Sequence, residues 1–409
     1  MLNLKRLRSR PARQFLYLWA GQTLIFCAAQ IWLVALTWLV LQETQSGWAV
    51  GSVLMAAAIP RGLLMLLGGV MSDRLPTNRV AALAGAIAAL AIMGVVAMLL
   101  ADRFFLEGMI AIAALFGSLE AFLYPAVLAL LPKLVPADRL AQANAWMQGS
   151  EQITNVVGPA AAGLAIGAVG LTATFTLNAL LLLLGSLCIF LVQPKAPGRS
   201  AHSPQSTPKQ ALAAEIGEGL RYAWQRSDIR IGLLLIAAIN FAILGPIVIG
   251  VAQLVTVRLQ GNATTFGSLQ AAYGVGALLG VVIAGQLNAI ANLKTPLAWL
   301  AGALGLGLIS LGFVHSTALA AIAIGGMGIG GGIVGVLAMT WLQQQTAFHM
   351  QGRMMSLIMF AAVALDPFSQ AASGALLEIS LTGLFVAAGI VMLLTAMGAA
   401  IGPETSRSA

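Results

Sequence analysis

The sequence predicts an all-α membrane protein of twelve transmembrane helices, arranged as two pseudo-symmetric six-helix halves. Three observations carry that prediction. Of the 409 residues, 59% are hydrophobic and only 8% charged, whereas soluble domains carry about 25% charged residues, so lipid must serve as solvent for the apolar side chains. Apolar stretches long enough to cross a hydrocarbon core of about 30 Å recur along almost the whole chain. Backbone groups in lipid must be satisfied within their own segment, which makes these stretches helices. A polar, proline-containing stretch then divides the spans into two equal sets.

In the first half the apolar windows place spans near 15 to 40, 48 to 71, 79 to 100, 106 to 131, 141 to 168 and 170 to 192. The basic run Lys5, Arg6, Arg8, Arg10 and Arg13 precedes span 1. That span is too long for a signal-peptide core and lacks a cleavage site, so it is read as retained. Residues 193 to 228 contain Pro194, Pro197, Gly198, Pro204 and Pro208 and then a surface helix. This segment is the expected cytoplasmic linker between halves 1 to 192 and 229 to 409. The second half holds spans near 229 to 257, 265 to 288, 295 to 314, 317 to 343, 354 to 378 and 381 to 401. A single gap-free shift superposes Gly51-Ser52 on Gly267-Ser268 and Gly69 on Gly285, at equivalent places in spans 2 and 8. Equal span counts and a linker at the join favour duplication.

The net charge of +8 reports topology. Basic loops stay on the cytoplasmic side during insertion. With both termini cytoplasmic, only Arg103 and Arg258 of the 21 Lys and Arg residues fall outside and Arg61 falls within span 2. The expected location is a plasma or inner membrane, crossed many times. No basic stripe on a folded surface supports a nucleic-acid partner. Cys27 and Cys188 lie inside spans, and His202, His315 and His349 are scattered, which leaves neither a disulfide framework nor a metal-ligand cluster. No P-loop lysine motif points to ATP, and no serine-nucleophile or metal motif points to an enzyme. Gly326-Met327-Gly328-Ile329-Gly330-Gly331 fits a dinucleotide-binding spacing, but no strand precedes it and it lies in span 10, so tight helix packing explains it.

The segment Gly69-Val70-Met71-Ser72-Asp73-Arg74 closes span 2 at the cytoplasmic side. Glycine permits close helix approach, and an acid there can sit against the positive N-terminus of a neighbouring helix. This resembles the loop 2 to 3 signature of the Major Facilitator Superfamily, although Pro76, Thr77, Asn78 and Arg79 stand where that pattern continues with a glycine and two basic residues. Gly158-Pro159-Ala160-Ala161-Ala162-Gly163 in span 5 resembles the glycine-proline signature of its antiporter branches, with Ala162 in place of one family glycine. Physically, Pro159 frees a carbonyl and bends the helix, while Gly158 and Gly163 let another helix approach. Leu131-Pro132-Lys133-Leu134-Val135-Pro136, Glu218-Gly219-Leu220-Arg221-Tyr222 and Gly352-Arg353-Met354-Met355-Ser356 together resemble the branch of macrolide-efflux proteins and the enterobactin exporter. The resemblance covers nearly the whole chain. It implies secondary transport by alternating access, in the export direction. It also implies that Gly69, Asp73 and Arg74 work with the start of span 11 at Arg353 as a conformational motif.

Ionisable groups inside the membrane cost several kcal/mol or more at the bilayer centre unless paired or hydrated, which makes them candidates for function. Four stand out: Arg61, Glu120, Glu151 and Asp366. Glu151 shares a helical stripe with Gln148, Gln152 and Asn155, and a polar stripe of this kind should face a cavity or another helix. Glu120 and Tyr124 lie one turn apart on span 4. Trp19, Gln22, Phe26 and Gln30 form an aromatic and amide face of span 1, which reads equally as a substrate surface or as an interhelical seam. Arg61 and Asp366 sit at similar depth in spans 2 and 11, so a pair between them is expected; pairing with Glu120 or Glu151, or with an anionic substrate group, is open as well.

These readings together predict a proton-coupled exporter of a small amphiphilic molecule, a drug, siderophore or similar compound. It is expected to act as a monomer in the bilayer with no cofactor, drawing on the proton gradient. A desolvated carboxylate supplies the coupling, because it can load and release a proton. An importer or lipid flippase of the same fold, or a membrane sensor that transports nothing, is the alternative.

Overall fold

The computed structural model describes residues 10–136, 140–193, 221, 224–286, 294–345 and 365–401. The described elements are helical. The chain opens with α1 (Arg10–Thr44), α2 (Gly47–Arg74), α3 (Thr77–Leu100), α4 (Leu106–Leu134) and α5 (Leu140–Phe190). It continues with α6 (Ser227–Gly245), a π-helical turn (Pro246–Gly250) and α7 (Val251–Val257) as one rod. Then come α8 (Ala263–Gln286), α9 (Lys294–Leu311), α10 (Thr317–Gln345), α11 (Asp366–Ile379) and α12 (Leu381–Ile401). Among the described residues nine helices are long and apolar enough to cross a membrane, and Pro296–Leu311 is a shorter apolar helix. One of the nine, Gln142–Phe190, runs for 49 residues, about twice what a bilayer requires. It breaks at Gly170, whose φ of 80° and ψ of 173° leave the helical region, a conformation glycine adopts without a Cβ penalty. The two segments on either side are separate spans, which agrees with the twelve-helix expectation. The surface helix expected within 193 to 228 falls for the most part outside the described residues.

The chain forms two compact units, residues 1–45 with 52–203 and residues 46–51 with 204–409. In the first unit α1 packs along α5, and α3 packs against both α4 and α5. Lipid gives no hydrophobic drive for one helix to seek another, so close backbone approach and interhelical hydrogen bonds do the work. A Cβ on Gly21 would stand 2.9 Å from the Gly185 carbonyl oxygen, and one on Gly85 would collide with Ser186 Oγ. Between these seams Trp32 stacks on Phe116 with centroids 4.6 Å apart and meets Phe175 edge-on at 6.0 Å. The helix ends at one side are tied by side chains: Lys133 Nζ donates to Thr77 Oγ1 at 2.6 Å, and Asn78 Nδ2 donates to Val192 O at 2.9 Å. The opposite faces carry Leu83, Ile87 and Leu90 on α3 and Leu177, Leu180, Leu184 and Leu187 on α5, exposed as lipid-facing side chains are.

In the second unit α8 lies along α10 and α9 along α12, while α6 packs against α11 and α12. The α8–α10 seam is built from glycine: Cβ atoms on Gly276, Gly280, Gly328 and Gly332 would fall on the backbone carbonyls of Gly325, Ile329, Tyr273 and Ala277. The glycine-rich segment of span 10 is therefore a packing seam, as its apolar setting implies. The π-turn loosens the usual ladder of the rod, and Gln270 Nε2 of α8 donates to Ile247 O within it at 2.9 Å.

Candidate functional site

The candidate site lies within the first unit and begins at a crossing of α2 and α4. A Cβ on Gly117 would fall on the carbonyl group of Ala57, so the two backbones touch there. About one turn further along each helix come Arg61 and Glu120. Arg61 Nη1 stands 3.5 Å from Glu120 Oε2, with the side chains 36% and 24% exposed. A charge alone in lipid is costly and a partner lessens the penalty. At 3.5 Å the contact is longer than a well-formed N–H···O bond of about 2.9–3.0 Å, which leaves an ion pair that can exchange partners at small cost. Of the partners the sequence left open for Arg61, the structure brings Glu120 to it. Asp366 belongs to the second unit.

Tyr124 continues the face one turn past Glu120. Its ring centroid is 6.0 Å from that of Phe26 on α1, and it lies within electrostatic reach of Glu151 on α5. Glu151 and Asn155 are half-buried on one side of α5, while Gln148 and Gln152 are exposed. Asn155 Oδ1 accepts a hydrogen bond from Gln30 Nε2 at 2.7 Å, at the level where a Cβ on Gly158 would press on Gln30. Pro159 is buried inside α5 beside Gly158 and Gly163, where it removes the hydrogen bond to the Asn155 carbonyl.

Trp19, Gln22 and Gln30 of the aromatic and amide face of α1 hydrogen-bond to α5, and Phe26 faces Tyr124 of α4. Trp19 Nε1 donates to Trp146 O at 3.3 Å, the two rings meeting edge-on with centroids 6.2 Å apart. Gln22 Nε2 donates to Met147 O at 3.4 Å, and Gln22 is only 2% exposed. Arg61, Glu120, Tyr124, Glu151, Asn155, Gln30 and Gln22 thus converge on α1, α2, α4 and α5. Two carboxylates, a phenol and several amides on one side of a unit can hold protons and hydrogen-bond a partly polar solute.

Asp366 opens α11 in the second unit at 8% exposure, followed by the buried Ser369, Gln370 and Ser373. There Ser369 Oγ accepts from Gly245 N at 2.9 Å and donates to Phe241 O at 2.6 Å, which joins α11 to α6 just before the π-turn. The side chains of Gly69, Asp73 and Arg74, and all of Arg353, lie outside the described residues. Sequence reasoning missed Ser46 and Glu378, where Glu378 Oε1 accepts hydrogen bonds from Ser46 Oγ at 2.6 Å and from Trp48 N at 3.1 Å. Ser46 carried a signal as a serine just ahead of a helix, whereas nothing local marks the partner of Glu378.

The sequence matches the family described as Major Facilitator Superfamily over residues 18–365. The MFS-type transporter y4rN of Sinorhizobium fredii is 28% identical over 277 residues, which span 66% of this chain and 65% of that protein. The multidrug efflux pump Tap of Mycolicibacterium fortuitum is 24% identical over 389 residues, 91% of this chain and 92% of that protein. Among solved structures, a bacterial homologue of the iron transporter ferroportin in its inward-facing state superposes with a TM-score of 0.74 at 17% identity, covering 96% of this chain and 100% of the other. The nucleoside transporter NupG superposes with a TM-score of 0.73 at 13% identity, over 95% of this chain and 98% of the other. Likeness at such identity speaks for the fold alone. The family match extends over well more than half of the residues, and the chain belongs to the Major Facilitator Superfamily, a family of membrane transporters.

Proposed function

We propose that this transporter is an exporter that moves a small amphiphilic molecule outward in exchange for protons. The observation that carries the reading is the pair of carboxylates on adjoining helices of one unit, Glu120 held by Arg61 and Glu151 beside Tyr124. Each can accept a proton in a partly desolvated setting, and a change at Arg61 would alter how readily Glu120 does so. The rings of Trp19, Phe26, Tyr124 and Trp146, with the amides of Gln30 and Asn155, offer the apolar and hydrogen-bonding surface that a drug- or siderophore-like solute needs. Export is favoured by the likeness to a protein named as a multidrug efflux pump. Alternating access would present this surface to each side of the membrane in turn.

The test uses inside-out membrane vesicles with an acidic lumen and a panel of toxic amphiphiles and siderophores. At least one compound should accumulate in the lumen while protons leave it, and a protonophore should abolish the accumulation. Movement of solute in the same direction as the protons would overturn antiport and favour uptake. If no compound and no proton moves, the chain is acting as a sensor.

A further inference from the structure

Residues 221–230 lead into α6 and hold Arg221, Arg226 and Arg230 against one acid, Asp228. Arg226 stands at the N-cap of α6, and the Arg230 N–H donates to its carbonyl at 3.0 Å. The two side chains therefore lie one turn apart on one face of the helix. Leu234, a further turn along that face, is 58% exposed, as a side chain turned to lipid is. The apolar span of this rod begins at Gly232. At about 1.5 Å per residue, Arg230 and Arg226 precede it by about 3 and 9 Å, a depth comparable to the headgroup layer of about 5–8 Å per leaflet. Trp224 holds Arg230 in place: Arg230 Nη1 donates to Trp224 O at 3.1 Å, and Arg230 Cζ lies 5.8 Å from the centre of the Trp224 ring. That ring is 62% exposed.

Each feature points to the same ligand chemistry. The Trp224 carbonyl takes up Arg230 Nη1, and a guanidinium has further N–H donors whose planar fork matches phosphate oxygens. An exposed indole gains little from a soluble anion, whereas at the level of the headgroups its apolar ring and polar N–H are both satisfied. The face that carries the arginines continues into Leu234, so what comes to the arginines there brings hydrocarbon with it. A zwitterionic headgroup supplies its own cation, while the excess of arginine over acid favours a lipid of net negative charge. We propose that Arg226, Arg230 and the Trp224 ring form a binding site for the phosphate of an anionic phospholipid, whose acyl chains run along the Leu234 face of α6. The site belongs to the second unit, apart from the carboxylates assigned to protons, and its test requires no transported compound.

The test titrates purified, delipidated protein in detergent with phosphatidylglycerol or with phosphatidylcholine of the same acyl chains, and native mass spectrometry counts the lipids retained. One phosphatidylglycerol should be held more tightly than any phosphatidylcholine. Arg226→Gln with Arg230→Gln should weaken that first binding about tenfold and leave phosphatidylcholine unchanged. Arg226 is exposed, so Arg226→Gln alone, with a loss of about threefold, keeps the test decisive should the double variant fail to fold. Arg103→Gln is the control: it removes the same charge from an exposed arginine in the turn between α3 and α4, and retention should stay at the parent value. The site is overturned if phosphatidylcholine is held as tightly as phosphatidylglycerol, or if the arginine variants retain phosphatidylglycerol as the parent does. An equal loss in Arg103→Gln overturns it as well, since net charge would then be the cause. Displacement of the lipid by inorganic phosphate at equal concentration would make the site one for free anions and end the lipid assignment.

Discussion

At the scale of single residues, the Arg61–Glu120 pair divides the roles of the two carboxylates. Glu120→Gln keeps the shape of the side chain, removes its titration and leaves Arg61 without this anion. Breaking a fully buried pair costs about 3–5 kcal/mol, but with both side chains partly exposed the expected loss is nearer the 1 kcal/mol of solvent-screened pairs. Glu151→Gln removes titration with no salt bridge to break among the described residues, so it should fold as the parent does. Transport driven by a pH gradient should fall about tenfold or more in each variant if both carboxylates carry protons. Full gradient-driven transport in both, measured on vesicles at matched protein content, would return them to a structural role. The double change Arg61→Gln with Glu120→Gln should melt at a higher temperature than Arg61→Gln alone, because it leaves no unmatched carboxylate. The candidate site was legible in the sequence as a set of costly polar residues, since lipid tolerates few of them. Its pairing was not legible. The partner of Arg61 depends on how α2 crosses α4, and that depends on the backbone touching at Gly117 and Ala57, which neither periodicity nor depth along the span reveals.

At the scale of elements, helix breaks divide into those the sequence announces and those that depend on neighbours. The break at Gly170 follows from length, since α5 runs twice as far as one span needs and glycine is present where the chain must turn. A Cβ at Gly170 meets nothing within 4 Å, so its φ of 80° is the whole reason for glycine. Gly170→Ala should therefore cost about 1–3 kcal/mol through backbone strain alone, seen as a lower melting temperature with unchanged transport. Gly328→Ala offers the contrast. Its backbone is ordinary helix, yet its Cβ would strike the Tyr273 carbonyl in the α8–α10 seam. This change should separate the two helices and reduce stability more than Gly170→Ala, in the same melting assay. The π-turn at Pro246–Gly250 was hidden, although Gly245-Pro246 hinted at irregularity in span 7. Its support comes from Gln270 on α8 and Ser369 on α11, residues distant in sequence. The contact of Glu378 with the start of α2 was hidden for the same reason, as it joins residues more than three hundred positions apart.

At the scale of the whole molecule, the expected orientation rests on the sparse charge assigned to the outside, and Arg258 is the residue that most needs an account. Basic residues resist transfer across the membrane, so an outside arginine should have structural work to do there. Arg258 donates to Gly312 O through Nη1 and to Thr382 Oγ1 through Nη2 at 2.8 Å, and Thr382 Oγ1 donates to Gly312 O at 2.9 Å. One guanidinium thus ties the end of α7 to the α9–α10 turn and the start of α12. Arg103, the other arginine expected outside, lies exposed in the turn between α3 and α4, on a loop too lightly charged to compete with the basic arm and linker. The predicted topology is checked by single cysteines in protein lacking Cys27 and Cys188. Ala101→Cys and Ser316→Cys, both exposed beyond helix ends, should react with a membrane-impermeant maleimide in intact cells. Leu75→Cys, 47% exposed between α2 and α3, should react only after the cells are permeabilised. The reverse pattern would overturn the assignment of Arg103 and Arg258 to the outside, yet it would leave exchange-driven export standing, because alternating access exposes Glu120 and Glu151 to both sides in turn and the proton gradient sets the direction of an antiport.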